Sequence, residues 1–230
     1  EFMDYIRLRT YNLANRKKSS QKKRRISIPV RIARPADVQP VVEAESADVL
    51  EAELRGLPPD RKVFESGELE VYAATARQIP CILREIGRLR ELTFRAANEG
   101  TGQAIDLDRF DDYYTHVFIW HRGKKEVVGA YRLGKSDEIM AQLGKKGLYT
   151  STLFRYRKKL LRSISPALEM GRSFIRSDYQ KSYSSLLVLW KGLAHYVARN
   201  PDYKILFGPV SINNEYQTTS RQLLVSFFFL

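Results

Sequence analysis

Two apolar segments of this chain, which alternate as β-strands do, contain charged residues. Arg132 lies within 127–133, and Glu169 and Arg172 lie within 167–175. An unpaired charge is costly in a strand that packs against a core. Such residues must therefore pair with one another or serve a ligand. Charged residues earlier in the chain complete this series: Arg90, Asp108 and Asp111.

The pattern of apolar residues predicts a mixed α/β fold. Alternation predicts strands at 69–73, 117–120, 127–133, 167–175 and 204–212, and helical spacing predicts helices at 78–97, 182–198 and from 216 onward. A hairpin is expected at 121–125. Residues 134–165, called the excursion below, form a long basic segment that we expect to be partly helical. One mixed sheet flanked by helices fits this order.

Changes in composition predict the domain organisation. Residues 1–40 are strongly basic and predict a linker or the remnant of an upstream domain. Residues 41–67 predict a short acidic helix and a connector, and residues 68–230 predict the folded domain. The apolar end at 227–230 carries no capping residue, so we expect this domain to be truncated at its C-terminus.

The net charge of +13 is concentrated in residues 1–40 and 113–230. Such a field attracts an acidic carrier protein, anionic lipid headgroups or nucleic acid. Nucleic acid is the least favoured partner, because the sequence offers no aromatic platform for base stacking. The single Cys81 fits a reducing compartment, and the longest apolar segments are too short to span a bilayer. We expect a cytoplasmic location, with peripheral contact at the inner face of the cell membrane as an option.

Glu169 and Arg172 lie three residues apart on a predicted strand, so regular pleating would place them on opposite faces. Gly171 lies between them, and a glycine inside a strand often marks a bulge that brings both neighbours to one face. A carboxylate and a guanidinium beside such a bulge can bind an amino acid or deprotonate an amine. A structural ion pair is the equally weighted alternative.

Asp108 and Asp111, with Asp106 nearby, form an acidic loop between the first long helix and the sheet. The loop lacks the ligand spacing of a calcium site, and no metal site is predicted. Capping, or pairing with Arg90 and Arg132, explains some of these carboxylates. Binding of a substrate amine by at least one aspartate is the more specific hypothesis.

Other common kinds of site are not indicated. The three histidines, at 116, 121 and 195, show neither a metal-ligand spacing nor a catalytic triad, and are interpreted as structural. The segment 176–181 leads from a strand into a helix but contains no glycine. A close approach of the backbone to a pyrophosphate is therefore not indicated.

Together these residues resemble the GNAT superfamily of acyltransferases, in the branch that contains acyl-homoserine-lactone synthases and the ornithine-lipid-forming, "hemolysin-like" N-acyltransferases. The autoinducer synthases share the ordered series Arg90, Phe94, Asp108, Asp111, Arg132, Glu169 and Arg172. The lipid-forming group shares, in addition, the segments 105–111, 168–173 and 206–211. The resemblance covers residues 68–226.

The resemblance implies a GNAT-like sheet with strands splayed for a pantetheine arm. It implies transfer of a fatty acyl or 3-hydroxyacyl chain to the amine of an amino acid such as ornithine, which forms a lipid precursor. The donor would be the acyl-phosphopantetheine of acyl carrier protein. Acyl-CoA is less favoured, because the glycine-rich phosphate loop is missing. Residues 5–11 resemble the end of a lysophospholipid-acyltransferase-type domain, which predicts a fusion to such a domain.

The resemblance also assigns roles. Glu169 and Arg172 would be the catalytic residues: Glu169 would be the general base, and Arg172, with Arg132, would anchor the substrate carboxylate or support the acidic loop. The substrate would contact Arg90, Phe94, Asp108, Asp111 and Arg132. The acyl donor would contact Ser173, Phe174 and Arg176. The basic residues Arg155, Arg157, Lys158 and Lys159 would dock the carrier protein.

Two alternatives remain at this point. The first is an autoinducer synthase of the acyl-homoserine-lactone type, which is less favoured because the loop at 98–104 has no tryptophan. The second is a non-catalytic basic module that binds membrane surfaces.

Overall fold

The computed structural model describes residues 38–181 and 183–211, together with 220, 222 and 223. Within these ranges one sheet has six strands in sequential order, antiparallel except for the last pair. The strands are β1 (Lys62–Ser66), β2 (Leu69–Thr75), β3 (Thr115–His121), β4 (Glu126–Lys135), β5 (Ala167–Ile175) and β6 (Ile205–Phe207). The helices are α1 (Ala47–Arg55), α2 (Pro80–Ala96), α3 (Ser136–Leu143), α4 (Lys158–Ile164), α5 (Ser177–Gln180) and α6 (Tyr183–Ala198).

Helices cover both faces of the sheet. On one face, Ile82 and Ile86 of α2 are fully buried with Phe118 of β3, and α1 packs on the same core. On the other face, Leu189 and Leu193 of α6 are buried with β-strand residues. The apolar face of each helix thus packs against the sheet. The strands are buried on both faces, as their continuous apolar segments predict.

The predicted strands and helices are confirmed over most of the described chain, with three differences. The segment predicted as a connector contains the edge strand β1, which packs in the same sheet. The strand predicted at 204–212 covers only 205–207. The linker at 1–37 and the last helix predicted from 216 lie outside the described residues, apart from 220, 222 and 223. Strand β1 has a weak pattern of its own, since only Val63 and Phe64 are apolar, and β2 supplies its pairing.

The expected bulge in β5 is present. Arg172 and Ser173 lie opposite the single residue Tyr131 of β4. The residue in the left-handed region is Arg172, with φ of 51°, whereas Gly171 does not have a positive φ. The conformation of Arg172 costs about 1–2 kcal/mol for a residue with a side chain. The bulge is thus built by the arginine and not by the glycine.

The excursion between β4 and β5 is partly helical, as expected, with α3, α4 and two short 3₁₀ turns at 145–147 and 149–152. No helix in the described part of the chain has both the length and the apolar character needed to cross a membrane.

Candidate active site

A buried group of charged side chains lies where α2, the acidic loop, β4 and β5 meet. Arg90 donates two hydrogen bonds to Asp111, of 2.6 and 3.3 Å, and the two side chains are 1% and 2% exposed. Arg132 donates to Asp108 at 2.6 Å and lies 3.1 Å from Asp111. Two of the predicted site arginines are therefore held by two of the predicted site aspartates.

The acidic loop is fixed against α2 by backbone contacts. The amide of Asp106 donates to the carbonyl of Gly87 at 3.2 Å. A Cβ atom at Gly87 would lie 2.6 Å from Cγ of Leu107, so only glycine allows this close approach. Glu91, which is fully buried, accepts hydrogen bonds from the amides of Thr101 and Gly102. These contacts hold the carboxylates of the acidic loop next to the arginines of the charged group.

Glu169 is 1% exposed and accepts hydrogen bonds from three donors. They are the hydroxyl of Tyr114, the amide of Tyr149 at 3.0 Å and the amide of Thr150 at 2.6 Å. Its neighbour across the sheet is Gly134, where a Cβ would lie 2.4 Å from the ring of Tyr114. The missing side chain makes room for the tyrosine, whose pKa is raised by burial and by the nearby carboxylate.

Arg172 reaches the same face of the sheet as Glu169. Its Nη2 lies 3.5 Å from Asp106 and 3.6 Å from Asp108, and its Cζ lies 5.4 Å from the ring centroid of Tyr149. The backbone of Tyr149 in turn binds Glu169. The described residues include no ion pair between Glu169 and Arg172, so the alternative of a structural pair between these two is wrong.

Four buried polar atoms of the group make no hydrogen bond with the described part of the chain. They are Oδ2 of Asp106, Nε of Arg90, Nη2 of Arg132 and Nε of Arg172. Burial raises the pKa of the Asp106 carboxyl, although the neighbouring arginines oppose this effect. Buried polar atoms in native proteins nearly always have a hydrogen-bond partner, so several such atoms without a partner in one site need an explanation.

The formal charges of the group do not cancel. Its members are Arg90, Arg132, Arg172, Asp106, Asp108, Asp111 and Glu169, which sum to one negative charge when all are ionised. The adjacent His116 is neutral at pH 7, because burial, and then the charge of Arg90, lower its pKa to about 4. A positively charged group of a ligand, such as an ammonium, would balance this charge.

Beside the charged group, a cavity of about 650 Å³ follows the edge of β5. Strand β6 pairs only with 167–169, so the rest of β5 has no described strand paired to it on that side. The predicted residues Phe94, Ser173, Phe174 and Arg176 line this cavity. Phe94 was expected to contact the acceptor, but it lies on the cavity with the predicted donor residues. Arg176 also pairs with Glu126.

The predicted docking residues lie elsewhere, in the excursion. Arg155, Arg157 and Lys159 are exposed, while the side chain of Lys158 lies outside the described atoms. Carrier docking by these four residues stays a prediction.

Sequence reasoning missed the groups that hold Glu169. Tyr114 precedes β3, and Tyr149 and Thr150 lie in an irregular part of the excursion, so none of them follows an apolar period. Asp106 was noted only as a neighbour of the other aspartates. The one available signal was Gly134, a glycine inside a predicted strand, which often marks a close approach.

Comparison with known proteins agrees with this architecture. Residues 89–191 match a family model described as "Acetyltransferase (GNAT) domain". The chain is 31% identical over 203 residues to a protein named glycine N(alpha)-acyltransferase from Phocaeicola vulgatus, which covers 83% of this chain and 61% of the relative. A protein of the same name from Bacteroides thetaiotaomicron is also 31% identical, with 59% of its length covered.

The chain thus spans about three fifths of the curated relatives that it matches. The matched segment 89–191 contains every member of the charged group. Neither relative is named as an ornithine-lipid enzyme or an autoinducer synthase, so that finer placement stays a prediction. Residues 89–191 are thus similar to a GNAT-type acetyltransferase domain, and the mixed sheet is consistent with that fold.

Proposed function

We propose that this chain is part of an N-acyltransferase that moves a fatty acyl group from a thioester to the α-amine of an amino acid. The observation that carries the proposal is that three of the four buried polar atoms without partners lie on Asp106, Arg132 and Arg172. A carboxylate oxygen and two guanidinium nitrogens match the ammonium and carboxylate groups of a zwitterion. Glycine is the first candidate acceptor, because both relatives are named for it. Ornithine is the second, on the resemblance of the sequence motifs.

The acceptor side rests on which carboxylate oxygens are still available. Both oxygens of Asp111 are bound, by Arg90 and by the amide of Asp108. Arg132 and the amide of Phe110 both bind Oδ1 of Asp108, and its Oδ2 lies 3.6 Å from Arg172. We assign the substrate ammonium to Asp106, whose buried Oδ2 has no hydrogen-bond partner among the described residues, and not to Asp108 or Asp111 as the sequence suggested. Arg172, which is 20% exposed, would receive the carboxylate from the solvent side.

The amine must lose a proton before it can attack a thioester. We assign this proton to Glu169, which would act directly or through a water molecule. The amine nitrogen then attacks the carbonyl carbon, the C–S bond breaks, and the leaving thiolate takes up the second proton that the nitrogen loses as the amide forms. The three donors to Glu169 would keep its carboxylate in one position during these steps.

The donor side rests on the free edge of β5. The amide of Arg176 donates to Val128 of β4, so by alternation the amide of Ile175 is directed to the other edge. Free backbone groups at a sheet edge can pair with an extended ligand such as a pantetheine arm. Amides near the bulge, at 172–174, would stabilise the oxyanion of the tetrahedral intermediate. The cavity falls in the size range of pockets for drug-sized ligands, which suits a fatty acyl chain better than an acetyl group.

We propose acyl carrier protein as the source of the thioester, because 176–181 has no glycine for close contact with a pyrophosphate. The experiment is mass spectrometry of lipid extracts from cells that express the intact protein, together with transfer assays that offer acyl carrier protein or coenzyme A thioesters. N-acylated glycine, made faster from the carrier thioester, is the expected result. Lactone release from S-adenosylmethionine would support the autoinducer alternative. A folded protein with no product would support a binding role.

Glu169→Gln tests the base. The exposed Asp112→Asn is the matched control, because it lies in the acidic loop but outside the charged group. We expect turnover to fall about 100-fold or more in the first variant and to stay unchanged in the second. Full turnover by Glu169→Gln would remove the assignment.

A further inference from the structure

The outer surface of the excursion combines two features that are seldom found together. Between Glu138 and Glu169 the sequence has seven lysines and arginines and no acidic residue. The same segment exposes four large apolar side chains to about half of their area: Leu143, Leu153, Phe154 and Leu160. Exposed apolar residues grouped in this way commonly mark an interaction site.

The inner side of the excursion has a different composition. Leu148 and Leu161 are buried in a small core with Tyr114, and the amides of Tyr149 and Thr150 bind Glu169. The exposed residues are thus not needed to fold the segment, since its core and its hydrogen bonds lie on the other side. They are available for a partner.

We propose that this surface binds anionic lipid bilayers. Phenylalanine and leucine side chains that enter the headgroup region, with lysine and arginine beside them, are the combination that holds peripheral proteins on such membranes. Phe154 lies directly beside Arg155 in the sequence, and Leu160 beside Lys159, so insertion and charge pairing can occur together. An acidic protein surface would satisfy the bases but would leave these apolar side chains without a specific site.

The surface would hold the domain at the bilayer with the buried charged group just behind it. An acylated amino acid is amphiphilic, and a protein held at the membrane could release it directly into the bilayer. That last step rests on the proposed function, whereas membrane binding does not, because it can be measured without turnover.

The test is flotation of the chain with vesicles of phosphatidylcholine alone and with about one third phosphatidylglycerol. We expect binding only to the anionic vesicles, and weaker binding as salt is raised. The double variant Leu153→Ser/Phe154→Ser should weaken binding about ten-fold or more, because two large apolar side chains no longer enter the bilayer. Leu187→Ser is the matched control, since Leu187 on α6 is 54% exposed, against 52% for Leu153.

The basic residues of this surface are tested by flotation with the same vesicles. Arg155→Gln/Lys159→Gln should weaken binding about thirty-fold, at about 1 kcal/mol for each charge. Lys204→Gln, an exposed lysine outside the excursion, should leave it nearly unchanged. Absence of flotation with either vesicle would overturn the proposal. It would also be overturned if the apolar variant bound normally while the charge variant lost transfer from carrier protein, because the surface would then be a carrier dock.

Discussion

The two halves of the sheet are built differently. From β1 to β3, Val71, Val117 and Ile119 are fully buried against α6, and the strands are regularly paired apart from one irregularity in β1. From β4 to β6, the structure contains buried charges, a left-handed arginine at a bulge, and an edge that is only partly paired. The features of the second half reduce stability unless something compensates them. The first half of the sheet is thus built for stability, and the second half contains the candidate active site.

The largest effect is expected in the buried charged group, which the second half shares with α2 and the acidic loop. Arg90→Met would leave the buried carboxylate of Asp111 without its main partner, and should lower the free energy of unfolding by about 3–5 kcal/mol. Urea titration measures this change. Arg122→Met is the control, because its pair with Glu68 is more than half exposed and should contribute less than about 1 kcal/mol. An equally small loss in the free energy of unfolding in both variants would show that the buried pair stabilises the protein no more than the exposed pair does.

In the α2 core the expected effect is on stability alone. Ile86→Ala leaves a cavity under α2 and should cost about 2–5 kcal/mol. Turnover per folded molecule should be the same as in the unchanged protein, because Ile86 packs in the apolar core between α2 and the sheet and is not part of the charged group. A large fall in the turnover of a fully folded Ile86→Ala protein would contradict the assignment of stability to the apolar core and of chemistry to the charged group.

The pH dependence of stability tests the environment of His116. Its pKa of about 4 in the folded chain lies below the usual value of 6.5, so the unfolded chain binds more protons between these values. Stability from this residue is therefore complete above pH 6.5 and is lost as pH falls toward 4, by at most about 3 kcal/mol. Comparing unfolding of the unchanged protein and of His116→Gln at pH 7 and pH 5 isolates the effect. A difference that does not change with pH would contradict it.

The smallest effect separates the backbone of Arg172 from its side chain. Arg172→Gly and Arg172→Ala both remove the guanidinium, but only glycine adopts a φ of 51° without strain. The glycine variant should therefore be about 1 kcal/mol more stable than the alanine variant by urea titration. Both should have a raised KM for the amino acid acceptor. Equal stability of the two variants would show that the bulge is not strained.

Sequence reasoning recovered the elements that have a strong local pattern. The alternation around Arg132 and Glu169 located β4 and β5, and the spacing along α2 placed Arg90 toward the acidic loop. The bulge in β5 could be predicted, because regular pleating would place Glu169 and Arg172 on opposite faces of the sheet. The residue that adopts the unusual φ could not be foreseen, because a buried ion contact can hold a conformation that local preference disfavours.

The remaining features depend on contacts between distant parts of the chain. Tyr114 and Glu169 are 55 residues apart, and the two amides that bind Glu169 belong to an irregular turn. The availability of Asp106 became visible only once the partners of Asp108 and Asp111 were known. No periodic pattern encodes which of three neighbouring aspartates keeps a buried oxygen without a partner.

The central claim is that the buried charged group binds the amino acid acceptor through Asp106. The direct measurement is the KM for glycine in Asp106→Asn, with Asp112→Asn as the control in the same loop. We expect the KM for the acceptor to rise about ten-fold or more in the first variant, with the KM for the acyl donor unchanged, since a charge-assisted contact contributes about 1.5–3 kcal/mol. An unchanged acceptor KM in a folded Asp106→Asn protein would contradict the claim.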